Sequence, residues 1–146
     1  MGNKTIRLPR EDQLLDREQF KTAVFARAGG CCVFCMQAAL DAHHILERKL
    51  FANGGYFSGN GAAVCEHHHW QCETTELSVE KVRRAAKIST VILPPEFDQA
   101  KRYDKWGNEL RQDGLLIGGP LVDDVGMRRA LEQGRKLSLL LRKEWL

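Results

Sequence analysis

Between positions 32 and 69 the chain carries a Cys-x-x-Cys pair (Cys32, Cys35), two adjacent histidines (His43, His44) and then the run Cys65-Glu66-His67-His68-His69. No other feature constrains the fold so strongly. Thiols and imidazoles grouped in this way bind metal, and a bound metal fixes segments that are distant in the chain at short, defined separations. A structural zinc takes four protein ligands in a tetrahedron, so one ion cannot use them all. The surplus predicts two sites on one scaffold: a zinc that holds the fold and a second metal that serves chemistry.

Cys32 and Cys35 stand at i and i+3 in a short knuckle, and Cys65 and His68 repeat that spacing. Two such pairs from separate segments complete a tetrahedron, so the expected structural Zn²⁺ ligands are Cys32, Cys35, Cys65 and His68. Two alternatives stay open. Cys31 can stand in for Cys32, and Cys72 is near enough to compete for the fourth position. Five cysteines is an odd number, and Met1 to Arg10 is polar and basic with no apolar stretch behind it. That pattern argues against a disulfide framework and for an intracellular, cytoplasmic protein. No apolar run approaches the roughly 18 residues of a membrane span, so no membrane partner is expected.

At 146 residues the chain is expected to be a single domain, 1–146, with metal supplementing a modest core. Residues 11–28 carry apolar positions at Leu14, Leu15, Phe20, Val24 and Phe25 and end at Gly29-Gly30, which predicts an amphipathic helix. Ala38 to Leu46 reads as a strand, 52–61 as a Gly- and Asn-rich loop, and Ala62 to Val64 as a return strand. A short helix over Glu66 to Glu73 begins on the ligand cluster, and Ser78 caps a further helix over Val79 to Ile88. Residues 96–120 read as irregular or hairpin-like. In the last segment Met127, Leu131, Gly134, Leu137 or Ser138, Leu141 and Trp145 share one helical stripe, with Asp123 or Asp124 as its cap.

The ordered set now resembles a known family. A helix, a Cys-x-x-Cys knuckle, Asp41-Ala42-His43-His44-Ile45, a Gly-rich loop leading to Asn60, and Cys-x-x-His-His ending at His69 look like the HNH endonucleases, over roughly residues 20–76. The resemblance implies an α+β fold with a ββα-metal (His-Me) finger core, flanked by helices, the Cys3His zinc site and an extension over 77–146. It also implies that His44 is the general base, that His43 and His69 hold the catalytic divalent cation, and that Asn60 orients the base through backbone hydrogen bonds. Phosphodiester hydrolysis needs these residue types. A neutral imidazole takes a proton from water at physiological pH, and a cation stabilises charge on the phosphoryl and leaving oxygens. Two histidines with open positions accept Mg²⁺, Mn²⁺, Ni²⁺ or Zn²⁺, with Mg²⁺ or Mn²⁺ expected for activity.

The implied partner is nucleic acid, with double-stranded DNA as the expected substrate. Net charge is +3, which permits a polyanionic partner without demanding one. Arg48 and Lys49 follow the base directly and are candidates for phosphate contacts. The basic residues of the C-terminal segment offer a second surface for a phosphate backbone, and Tyr103 and Trp106 are candidates for base stacking or for packing. Two other functions use the same scaffold: a non-catalytic zinc module that binds nucleic acid, and a nuclease of the RNase or toxin type.

Overall fold

The computed structural model describes residues 7–146, which form a mixed α+β arrangement of four α-helices and two small sheets. Helix α1 runs Arg17–Arg27 and starts later than the expected residue 11. The reason is a capping box: Asp16 accepts from the Gln19 backbone N–H, and the Gln19 side chain accepts from the Asp16 N–H. Residues 11–15 instead form a strap. Leu15 N–H donates to Tyr56 O at 2.9 Å, Gly59 N–H donates to Glu11 O at 3.1 Å, and Leu14 is left exposed.

Strand β1, Asp41–His44, pairs antiparallel with β2, Gly61–Val64, so that His43 faces Ala62 and His44 faces Gly61. The ladder ends before Ile45 and Leu46, both fully buried, although Ile45 N–H still reaches Asn60 O at 2.9 Å. Gly61 is required by close approach. A Cβ there would lie 2.6 Å from Phe20 Cζ and from Val24 Cγ2, because α1 packs directly over β2. Helix α2, Glu66–Glu73, follows at once, with Cys65 at its N-cap position. Helix α3, Val79–Ala85, is capped by Ser78, whose Oγ accepts from Lys81 N–H at 3.1 Å. It stops short of the expected Ile88 because Lys87 turns left-handed at φ 59°.

The C-terminal half departs most from expectation. Strands β3, Glu109–Leu110, and β4, Leu116–Ile117, form a hairpin, and β5, Leu140–Leu141, adds to it in parallel. Between them lies α4, Val125–Gln133, with Asp124 as the N-cap. The long helical stripe is therefore broken. Met127 and Leu131 are fully buried in α4, whereas Leu137 sits in a short 3-10 turn, Leu141 in β5, and Trp145 stays exposed.

Three apolar clusters result. One lies under α2 and α3 around Ile45, Leu46 and Val64; a second joins α1 to Ala63; a third holds Trp106, Leu116, Met127 and Leu131. Leu121 packs against both the first and the third and links the C-terminal half to the centre. Among the described residues no helix is long and apolar enough to cross a membrane.

Candidate metal centres and the cleft beside them

Cys32, Cys35, Cys65 and His68 converge, their ligand atoms all within 4.8 Å of one another. Cys35 Sγ lies 3.7 Å from Cys65 Sγ, and His68 Nδ1 lies 3.6 Å from Cys32 Sγ and 3.2 Å from Cys65 Sγ. A tetrahedral zinc with Zn–S bonds of about 2.3 Å separates its sulfurs by roughly 3.8 Å, so the group could hold a metal such as zinc with little adjustment. Burial works against the Cys32 thiolate. The backbone N–H groups of Cys65, Phe34 and Cys35 outweigh it and bring the Cys32 pKa down, toward the form that binds metal. Cys72, the other contender, lies outside the cluster, and burial pushes its thiol up to about 12. Cys31 is also outside and half-buried.

A second group gathers His43, His69 and Glu73. Glu73 was missed in the sequence, although its i+4 spacing from His69 places both on one face of α2. His69 Nε2 lies 3.0 Å from Glu73 Oε1, and His43 Nδ1 lies 3.8 Å from the same oxygen. An octahedral ion with bonds of about 2.1 Å separates adjacent ligands by roughly 3.0 Å and opposite ones by roughly 4.2 Å. Both distances fall in that range. His43 is 2% exposed, and its buried Nδ1 has no hydrogen-bond partner among the described residues, the arrangement expected of a lone pair kept for a cation. Burial, with Lys105 and His69 nearby, holds its pKa well below the usual histidine value, so it is neutral as a ligand must be.

The hydrogen bond to Glu73 raises the His69 pKa. Burial pushes the Glu73 carboxyl up, but the His69 bond and the Lys105 charge prevail and hold it down as a carboxylate. Asp41 Oδ2 stands 3.8 Å from His69 Nδ1, on the far side of the ring from Glu73.

His44 takes a different environment from its neighbour. Its ring stacks on Phe20 of α1 at 4.6 Å and meets Tyr56 edge-on at 5.2 Å, while His43 meets His69 at 5.2 Å. Adjacent strand residues point to opposite faces, but a two-stranded ribbon twists strongly, and both imidazoles line one cleft of about 390 Å³. Burial and the Lys105 charge lower the His44 pKa to about 4, so the ring is neutral at neutral pH. Asn60 sits behind it, 1% exposed. Its Nδ2 donates to Leu46 O at 3.0 Å and its Oδ1 accepts from Leu46 N–H at 2.9 Å, fixing the backbone two residues beyond His44.

Arg48 lines the cleft, as do Arg17 and Lys21 from α1. Lys49 does not. It turns away to Asp124 Oδ2 at 2.9 Å, where it joins the cap of α4. His67 is exposed. The aromatic pair of the C-terminal half packs rather than faces solvent: Trp106 Nε1 donates to Glu73 O at 2.8 Å, and the Tyr103 hydroxyl accepts from Asp98 N–H at 2.9 Å. Several basic residues there are also engaged, Arg142 with Asp123, Arg128 with Val122 O and Lys136 with Thr75 O. Lys105, with no local motif to mark it, reaches the cleft and stands beside Glu47 and Glu73. A larger cavity of about 840 Å³, between Arg7 to Gln13 and α1, is lined by no histidine or cysteine among the described residues. Compared with known proteins, the chain matches no family model, no curated protein and no solved structure.

Proposed function

We propose that this protein is a metal-dependent endonuclease of the HNH kind that hydrolyses DNA phosphodiester bonds. The observation that carries the reading is the neutral His44 in the same cleft as His43, His69 and Glu73, two groups with separate surroundings and complementary chemistry. The order β1, β2, α2, with His44, Asn60 and His69 on successive segments, supports a ββα-metal finger as its core.

In this reading His44 takes the proton from the attacking water, held in orientation by Phe20 and Tyr56 around the ring and by Asn60 behind the strand. His43, His69 and Glu73 hold the divalent cation, Mg²⁺ or Mn²⁺. When bound, that ion supplies Lewis-acid stabilisation of the phosphoryl and leaving oxygens. Arg48 is placed to meet a phosphate at the cleft wall. The Cys3His group holds structural zinc away from the chemistry, and a zinc module without catalysis would have no use for a base beside a second ligand group.

Supercoiled plasmid with Mg²⁺ or Mn²⁺ tests the proposal, with single-stranded DNA and RNA run alongside. The expected result is nicking that EDTA stops and that His44→Ala reduces by at least about 100-fold, the usual scale for losing a general base, with zinc content and circular dichroism retained. Nicking unchanged in a folded His44→Ala protein would remove His44 as the base. Cleavage of RNA alone would reassign the substrate.

A further inference from the structure

Lys105 comes from the C-terminal half, yet its side chain is 4% exposed and its ammonium enters the cleft. Nζ donates to His44 O at 3.1 Å and to Glu47 Oε2 at 3.3 Å, and it stands 3.8 Å from Glu73 Oε2. The ammonium also lies 4.8 Å from the Trp106 ring centroid. Taking an ammonium out of water is costly unless charge and hydrogen bonds compensate, and a methionine would fill a similar volume without that cost. Its polar partners, His44, Glu47 and Glu73, all line that cleft.

The main chain around it is equally tied. Glu47 N–H donates to Lys105 O at 2.9 Å, and the next residue, Trp106, donates from its indole to Glu73 O. The turn that presents Lys105 is braced by buried Asp104, whose Oδ1 accepts from the Trp106 and Asn108 N–H groups at 2.9 Å and whose Oδ2 accepts from Asn108 Nδ2 at 3.0 Å. Gly107 completes it at φ 83°.

We infer that Lys105 is a positioning residue for the second metal centre, an inference that rests on the reading of that centre as the cation site of a nuclease. Its ammonium draws Glu73 Oε2 to one side and leaves Oε1 turned toward His43 and His69. Through Glu47 and the His44 carbonyl it ties the end of β1 to the same point. The C-terminal half thus completes the site rather than decorating it.

Calorimetric titration of Mn²⁺ into zinc-loaded protein tests this apart from activity. Loss of the ammonium also takes a positive charge from beside the cation, which alone would tighten binding. Loss of positioning acts the other way and is expected to prevail, so that Lys105→Met binds Mn²⁺ roughly 10-fold more weakly, with zinc content and circular dichroism as in wild type. A folded Lys105→Met protein with wild-type or tighter Mn²⁺ affinity overturns the inference while leaving the metal centre standing. A wild-type chain that binds no Mn²⁺ overturns both. If the methionine variant does not fold, the wild type answers through the slowly exchanging Lys105 ammonium resonance, which is expected to shift as Mg²⁺ is added. A resonance unmoved at saturating Mg²⁺ also overturns the inference.

Discussion

Asn60 uses both ends of its amide on one residue, and that pairing sets what its loss must do. Asn60→Ala leaves the Leu46 N–H and C=O buried without partners, at about 1–3 kcal/mol each. The variant is expected to lose roughly 2–6 kcal/mol of stability by urea denaturation, and to lose activity through the misplaced His44 backbone even where it still folds. The residues of the site differ in how visible they were in the chain. Cys32, Cys35, Cys65 and His68 repeat a spacing that suits one shared ion, and all four meet. Glu73 was encoded by a weaker signal, its i+4 distance from His69, which also describes any solvated helix pair. Lys105 had no signal at all, because a buried lysine 58 residues from Glu47 is marked only by the topology that brings it there. Lys49 failed for the converse reason: adjacency to Arg48 says nothing of direction, and Asp124 claims it.

At the scale of elements, α2 was legible end to end because a ligand cluster starts it, whereas the apolar period of the C-terminal segment misled. That period runs on past Gln133, but the backbone does not. Arg135 N–H bonds to Glu132 O, Lys136 N–H bonds to Leu131 O, and Arg135 lies left-handed at φ 59°, a Schellman ending. Gly134 makes this ending possible through its lack of a side chain, since a Cβ there would stand 2.3 Å from Thr74 O. Thr74 caps the C-terminus of α2, so the end of α4 presses on the end of the helix that carries His69 and Glu73. Gly134→Ala is therefore expected to destabilise the protein by about 1–3 kcal/mol, the cost of overpacking, although alanine is the better helix former. Thermal denaturation checks the sign. An alanine variant as stable as wild type would mean that α4 does not approach α2 so closely.

Across the whole molecule, the segments that spacing cannot reveal are those that close the structure on itself. Residues 11–15 read as the start of a helix, yet they cross to the far side of the chain, where the Glu11 carboxylate accepts from Ser89 N–H, Ser89 Oγ and Thr90 N–H, the last at 2.7 Å. The same residue's carbonyl receives Gly59 N–H, which joins the strap to the loop that ends in Asn60. Glu11 thus links the N-terminal segment, the Asn60 loop and the segment after α3 without touching the site. Burial alone would raise its pKa, but the hydrogen bonds from Thr90 and Ser89 outweigh it and hold the carboxyl below its ordinary value. A carboxyl with a depressed folded-state pKa stabilises the fold above its unfolded pKa of about 4.3, and that contribution disappears as pH falls through the folded value. Glu11→Gln is expected to be less stable than wild type at pH 7, and the two urea midpoints should converge as the pH is lowered below about 4. A stability difference that stays constant from pH 7 to pH 3 would mean that the two-oxygen acceptor geometry of Glu11, and not its charge, holds the strap.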